Sequence, residues 1–282
     1  MASPNAQPDL RKLGERLLTQ GPVKTLRTPK RVRIQFGSTI VADTTSALYV
    51  WEHDYYPFYY VPLSAFREGL LQPKDDDESS SSSSSFYTAK LTVGDRTTDR
   101  VLAFGADLPP NSAARVLAGY VRVEFSAAGV AWFEEDERIY VHPRDPYKRI
   151  DILPSTRRVR VFVEGTLVAE APSAMHLYET GLPVRYYLPA TSIAGNLELM
   201  QDSETTTLCP YKGEANYYSV VLPPEKGKGE GKGQTVVKDV VWYYRTPTHE
   251  SARIAGLLCF YNEKVDIELD GKMLERPKSI FA

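Results

Sequence analysis

The chain has 282 residues, of which 42% are hydrophobic and 25% charged, the balance of a soluble globular protein with room for one large domain or two ordinary ones. A net charge of -2 points away from nucleic acid and from an anionic membrane surface as partners. No run of about 18 apolar residues is present, so no membrane-spanning helix is expected, and Met1 to Pro8 lacks the apolar stretch of a signal peptide, so a cytoplasmic location is expected.

The first predicted element is a helix. Asp9 is a good N-cap, Leu10, Leu13 and Leu17 share one face, and Gly21 marks the end. Basic residues then cluster at Lys24, Arg27, Lys30, Arg31 and Arg33, at the head of a strand-like run, where a solvated strand face is the ordinary reading. Val32 to Pro62 alternates and turns like a series of short strands. Asp75 to Glu78 and Ser79 to Ser85 form a low-complexity acidic and polyserine stretch with the composition of a disordered insert. Two apolar strands follow, Tyr120 to Phe125 and Val130 to Phe133. Arg157, Arg158 and Arg160 open the next strand-like run. There Val159, Val161 and Val163 alternate with polar neighbours, and Glu164-Gly165 turns the chain into a hairpin. Lys226 to Gly233 alternates glycine with charge outside any strand–turn–helix context, which predicts a long hairpin loop rather than a phosphate loop. Thr246-Pro247 starts a short helix to about Ile254, and Val265, Ile267 and Leu269 give a half-exposed strand.

These elements occur twice. Val32 to Pro62 aligns with Val159 to Pro189 over 31 columns without a gap, at an offset of 127 residues. Matching pairs include Val32/Val159, Arg33/Arg160, Val41/Val168, Ser46/Ser173 and Glu52/Glu179, and the segments close on Tyr59-Tyr60-Val61-Pro62 over Tyr186-Tyr187-Leu188-Pro189. Further on, Val116-Leu117-Ala118-Gly119 lies over Arg253-Ile254-Ala255-Gly256. The expected organisation is a helical extension (1–28), a first repeat (29–150) interrupted by the insert at 74–85, and a second repeat (151–282). The fold class is mainly β, as two tandem small antiparallel domains behind an N-terminal helix that pack against each other.

The copies differ most after the Tyr-Tyr-x-Pro element. Only the second carries Thr207-Leu208-Cys209-Pro210-Tyr211-Lys212-Gly213, and Ala103 is aligned where Trp242 stands. With Glu179, Arg185 to Pro189, Tyr217, Asp239 to Tyr244, Ile254-Ala255-Gly256 and Phe260-Tyr261, the second copy resembles the domain of unknown function 427 family over nearly its whole length. The first copy looks like a diverged member. The resemblance implies a compact antiparallel fold related to the zinc-binding β-tent proteins, and it implies no assigned activity. The cysteine pairs of zinc-binding relatives are absent: Cys209 and Cys259 are the only two cysteines and four histidines are scattered, so no metal site and no cofactor is expected.

Chemistry is therefore sought in the second copy. Cys209, extended before Pro210 and three residues from Lys212, is a candidate nucleophile, and Lys212 a candidate acid–base group or anion holder. The ordinary alternative for Cys209 is a small buried thiol under a loop; Cys259, inside an apolar strand, reads as core. Strand alternation sends Trp242 and Tyr244 to one face and Tyr243 to the other, with Tyr217 and Tyr218 likewise divided. Tyr187, Tyr211, Tyr217, Trp242 and Tyr244 are candidate walls of an aromatic cleft, with Arg185 and Glu179 flanking it, although core packing produces such clusters too. His176 reads as structural. His249 and Glu250, adjacent on a short helix, diverge and do not form an acid–base pair. The expected function is binding of a small polar or anionic molecule around the Cys209–Gly213 loop, with Lys212 and Arg185 fixing its orientation, with or without catalysis. The alternative is a non-catalytic module that captures a protein or peptide on its aromatic face.

Overall fold

The computed structural model describes residues 8–74, 85–193, 197–223 and 234–279. Apart from Lys74 and Ser85, the expected acidic and polyserine insert lies outside them, as does the Lys226–Gly233 loop. The chain divides into two compact units, Met1–Asp145 and Pro146–Ala282.

The first unit opens with helix α1 (Leu10–Gln20), capped by the Asp9 carboxylate, which accepts from the backbone N–H groups of Arg11 and Lys12 at 3.0 and 3.2 Å. Gly21 ends it at a φ of 76°, donating its N–H to the Leu17 carbonyl. Strands follow as β1 (Lys24–Arg27), β2 (Val32–Phe36), β3 (Thr39–Thr44), β4 (Leu48–Trp51), β5 (Phe58–Pro62), β6 (Leu71–Pro73), β7 (Phe86–Val93), β8 (Arg96–Phe104), β9 (Tyr120–Val123), β10 (Val130–Glu134) and β11 (Glu137–Ile139). The second unit has β12 (Ile150–Ser155), β13 (Val159–Val163), β14 (Thr166–Ala171), β15 (Ala174–Glu179), β16 (Arg185–Leu188), β17 (Met200–Cys209), β18 (Gly213–Leu222), β19 (Thr235–Tyr244), β20 (Leu258–Phe260), β21 (Asp266–Leu269) and β22 (Lys272–Met273). A 3₁₀ helix, His249–Ile254, stands where the short helix is expected.

Among the described residues each unit has a seven-stranded and a four-stranded sheet, in matching order. The larger runs β1-β4-β5-β9-β8-β7-β6 in the first unit and β12-β15-β16-β20-β19-β18-β17 in the second; the smaller runs β11-β10-β2-β3 and β22-β21-β13-β14. All pairings between these strands are antiparallel. The β13–β14 hairpin turns through Glu164 and Gly165, both at positive φ, the twist that a tight antiparallel connection needs. The two basic clusters sit at the heads of β2 and β13 and are paired with carboxylates: Arg31 with Asp43, Arg33 with Asp136, Arg157 with Asp270 and Arg158 with Glu170.

In each unit one apolar cluster draws on both sheets. Val32, Ile34 and Phe36 of β2 meet Tyr49, Tyr59, Val121 and Trp132 in the first; Val159, Val161 and Val163 of β13 meet Tyr186, Leu188, Val241 and Phe260 in the second. Each fully buried aliphatic side chain here contributes about 1.5–3 kcal/mol of transfer free energy. A second cluster lies on the opposite side of the larger sheet. In the first unit it holds Leu48, Val50, Tyr60, Leu102 and Phe104, together with Leu10, Leu13 and Leu17 of α1. In the second it holds Leu177, Tyr187, Tyr217, Trp242, Tyr244 and Cys259, with Ile152 of β12 and Ile254 of the 3₁₀ helix.

Strand register corrects one column of the alignment. Trp242 lies opposite Cys259, which follows Leu258, the partner of Leu188; in the first unit Leu102 lies opposite Arg122, which follows Val121, the partner of Val61. Leu102 therefore stands where Trp242 does, and Arg122 where Cys259 does. Ala103 falls one residue out, and the two-residue period sends it to the cluster shared with the smaller sheet.

Candidate functional site

The Cys209–Gly213 loop joins β17 to β18 at the edge of the larger sheet of the second unit. Gly213 adopts a φ of +99°, and a Cβ there would meet the Thr246 carbonyl oxygen at 3.3 Å, so both conformation and space call for glycine. The 3₁₀ helix fixes the loop from below. Thr248 and Ser251 donate their hydroxyls to the Tyr211 carbonyl at 2.6 and 3.2 Å, and the Thr248 N–H reaches the Lys212 carbonyl at 3.1 Å.

This anchoring turns Lys212 inward. Its ammonium donates to Glu179 Oε2 at 2.5 Å, and Lys148 donates to Glu179 Oε1 at 3.3 Å. All three side chains are largely buried, at 12%, 13% and 5% exposure for Lys212, Lys148 and Glu179. Burial alone would raise the Glu179 carboxyl; the ammonium of Lys212, then that of Lys148, overcome it and hold the group below the usual carboxylate range. Burial also works against the Lys212 ammonium, but the neighbouring Cys209 sulfur and Glu179 carboxylate leave it raised. Lys212 is thus a charged donor at neutral pH. The Lys148 ammonium also lies 5.5 Å from the centre of the buried Tyr211 ring, a cation–π distance.

Next to this cluster is the aromatic face. Tyr217 and Trp242 are cross-strand partners, as are Ala215 and Tyr244, and all four point to the side opposite the stacked pair Tyr218 and Tyr243. Tyr187 stands edge-on to Trp242 with centroids 6.3 Å apart, and its hydroxyl accepts from the indole N–H at 3.1 Å. Tyr217 exchanges a 2.7 Å hydrogen bond with Thr207. Burial pushes the Tyr187 and Tyr244 hydroxyls well above the ordinary phenol range, so both remain protonated at neutral pH. Cys209 is partly exposed, whereas Cys259 is fully buried and its thiol is pushed up by that burial.

The structure brings Cys209, Lys212, Tyr211 and Glu179 together around the loop and gathers Tyr187, Tyr217, Trp242 and Tyr244 in one cluster. Arg185 is engaged differently. Both its terminal nitrogens bond Glu263, at 2.5 and 2.7 Å, one also reaches Asn262, and the guanidinium lies 5.3 Å from the Trp242 ring centre. His176 is buried edge-on against Tyr186, with no hydrogen-bond partner at Nε2. His249 and Glu250 are exposed on the 3₁₀ helix. Sequence reasoning missed Lys148. The signal was present: Pro146-Tyr147-Lys148 repeats the Pro210-Tyr211-Lys212 of the loop, and the two lysines meet on one carboxylate.

The first unit treats the matching glutamate in another way. Glu52 accepts from Arg122 Nε at 2.5 Å and from the Tyr60 hydroxyl at 3.0 Å, with Arg122 arriving from within the sheet rather than from a loop. Arg122 also pairs with Glu124, which lies 3.5 Å from Arg100.

No helix among the described residues is long and apolar enough to cross a membrane. No curated protein matched the chain. A family match covers residues 24–132 and again 151–271, spanning both copies of the repeat. The chain belongs to the domain of unknown function 427 (DUF427) family, and carries that domain twice.

Proposed function

We propose that the second copy binds a small polar or anionic molecule at the Cys209–Gly213 loop, between the Lys212–Glu179–Lys148 cluster and the aromatic face. The observation that carries this reading is the burial of two ammonium groups on one carboxylate beside a partly exposed thiol. Burying ions costs several kcal/mol each unless they are well paired, and buried ionisable groups shifted by specific charged partners mark a candidate functional site. Trp242, Tyr187 and Tyr244 form the buried apolar layer against which the loop and its charged cluster are set. Lys212 remains charged and the tyrosines remain neutral, which favours recognition of charge over acid–base work. In the catalytic version of this reading Cys209 is the nucleophile, with Lys212 stabilising its thiolate. Capture of a peptide on an open aromatic face has less support, because Tyr187, Tyr217, Trp242 and Tyr244 are all buried.

A thermal-shift screen of metabolites against wild type and Lys212→Ala tests the proposal. Compounds that stabilise wild type are expected to lose their effect in the variant. Stabilisation that persists undiminished in Lys212→Ala would remove Lys212 from the site.

A further inference from the structure

We infer that the group recognised at this site is a singly charged oxyanion, a carboxylate or a phosphate monoanion, and that Lys148 is the residue that selects it. The inference rests on the site proposed above and names its ligand chemistry.

Three observations converge. The first is charge balance. In the first unit the buried cluster is even: Arg122 and Arg100 face Glu52 and Glu124. In the second unit Lys212 and Lys148 share one carboxylate, Glu179, with the partly exposed Cys209 sulfur beside Lys212, so the carboxylates leave one positive charge in excess in a largely buried place. Arg185 does not alter this count, because Glu263 neutralises it. A buried excess of one cation is stabilised by one anion.

The second observation separates the two lysines. Lys212 sits on Glu179 at 2.5 Å, and its backbone is held by Thr248; it is committed to the carboxylate. Lys148 is more loosely engaged, at 3.3 Å, and among the described residues this is its one hydrogen bond. An ammonium has three donors, so Lys148 keeps two for a ligand oxygen. The Tyr211 ring beneath it orients the charge without consuming a donor.

The third observation is the duplicated Pro-Tyr-Lys tripeptide. The chain presents a lysine to Glu179 from two places that are distant in sequence, residues 146–148 and 210–212. One lysine suffices to neutralise Glu179. The second one adds the charge that a ligand can use.

The test titrates full-length protein with sodium phosphate and with sodium acetate against sodium chloride at equal ionic strength, reading the thermal midpoint. Wild type is expected to be stabilised by at least one oxyanion beyond chloride, with a saturating curve. Lys148→Met should weaken that response at least tenfold, Lys148→Arg should restore it, and Arg149→Met, at a neighbouring exposed side chain, should leave it unchanged. Should Lys148→Met fail to fold, the Lys148 Nζ resonance of the wild type gives the same reading: it must shift on addition of the stabilising oxyanion, and a stationary resonance overturns the assignment. An undiminished response in Lys148→Met overturns it as well. If wild type ignores both oxyanions while neutral compounds from the metabolite screen stabilise it, the oxyanion inference falls and the site stands. If no compound of any kind stabilises wild type, both fall.

Discussion

At the scale of single residues, the two cysteines separate cleanly. Cys259 is buried in β20 with its thiol pushed up by desolvation, while Cys209 ends β17 with partial exposure beside Lys212. Iodoacetamide on the folded protein is therefore expected to alkylate one thiol per chain, at Cys209; peptide mass mapping that finds Cys209 untouched would end its case as a nucleophile. Glu179 gives a pH dependence of definite sign. Its folded value is depressed, so its contribution is complete above the unfolded carboxyl value, about 4.3, and is lost as pH falls from there through the folded value. Glu179→Gln should flatten this acid-side loss, read as hydrogen-exchange protection of β15 and β16 between about pH 5 and pH 3. Glu179, Lys212 and Cys209 were legible because the loop motif and the repeat both marked them. Lys148 was not singled out, because a lysine outside the aligned columns looks like any solvated linker residue until a fold brings it to a carboxylate.

At the scale of elements, α1 was readable from its cap, its leucine spacing and its terminal glycine, all of which act locally. What it covers was not readable, since that depends on contacts with β7 and β8, more than 60 residues away in sequence. Leu17 is fully buried against the larger sheet of the first unit, so Leu17→Ala should cost about 2–5 kcal/mol there, seen as a lowered urea midpoint for that unit alone. Arg122 carries a similar lesson. A lone arginine in Tyr-Val-Arg-Val reads as a half-exposed strand position, yet register places it inside the sheet between Glu52 and Glu124. Arg122→Met leaves the buried Glu52 carboxylate without its cation and Glu124 with Arg100 alone, and should destabilise the first unit by about 3–5 kcal/mol; pairing it with Glu52→Gln should recover part of that loss, which a double-mutant cycle measures.

At the scale of the whole molecule, the ungapped repeat implied two copies of one fold, and the matching strand orders of the two units bear this out. Hydrophobic alternation survives divergence because it fixes which face is buried. The contents of the second face diverged freely, and there the alignment slipped by one residue, between Ala103 and Leu102, since no motif in the first copy pins the register. The helix at the start of the chain then has a consequence for valency. In the first unit Leu10, Leu13 and Leu17 occupy the sheet face that in the second unit holds Tyr187, Trp242 and Tyr244, and Arg16 ties the helix to the Glu52 carbonyl at 2.7 Å. The duplicated domain supplies its own permanent occupant for one of its two equivalent faces. Under the binding proposed for the second copy the chain is monovalent: a calorimetric titration should saturate at one ligand per chain, not two, and linking two ligand moieties should yield no avidity within a single chain.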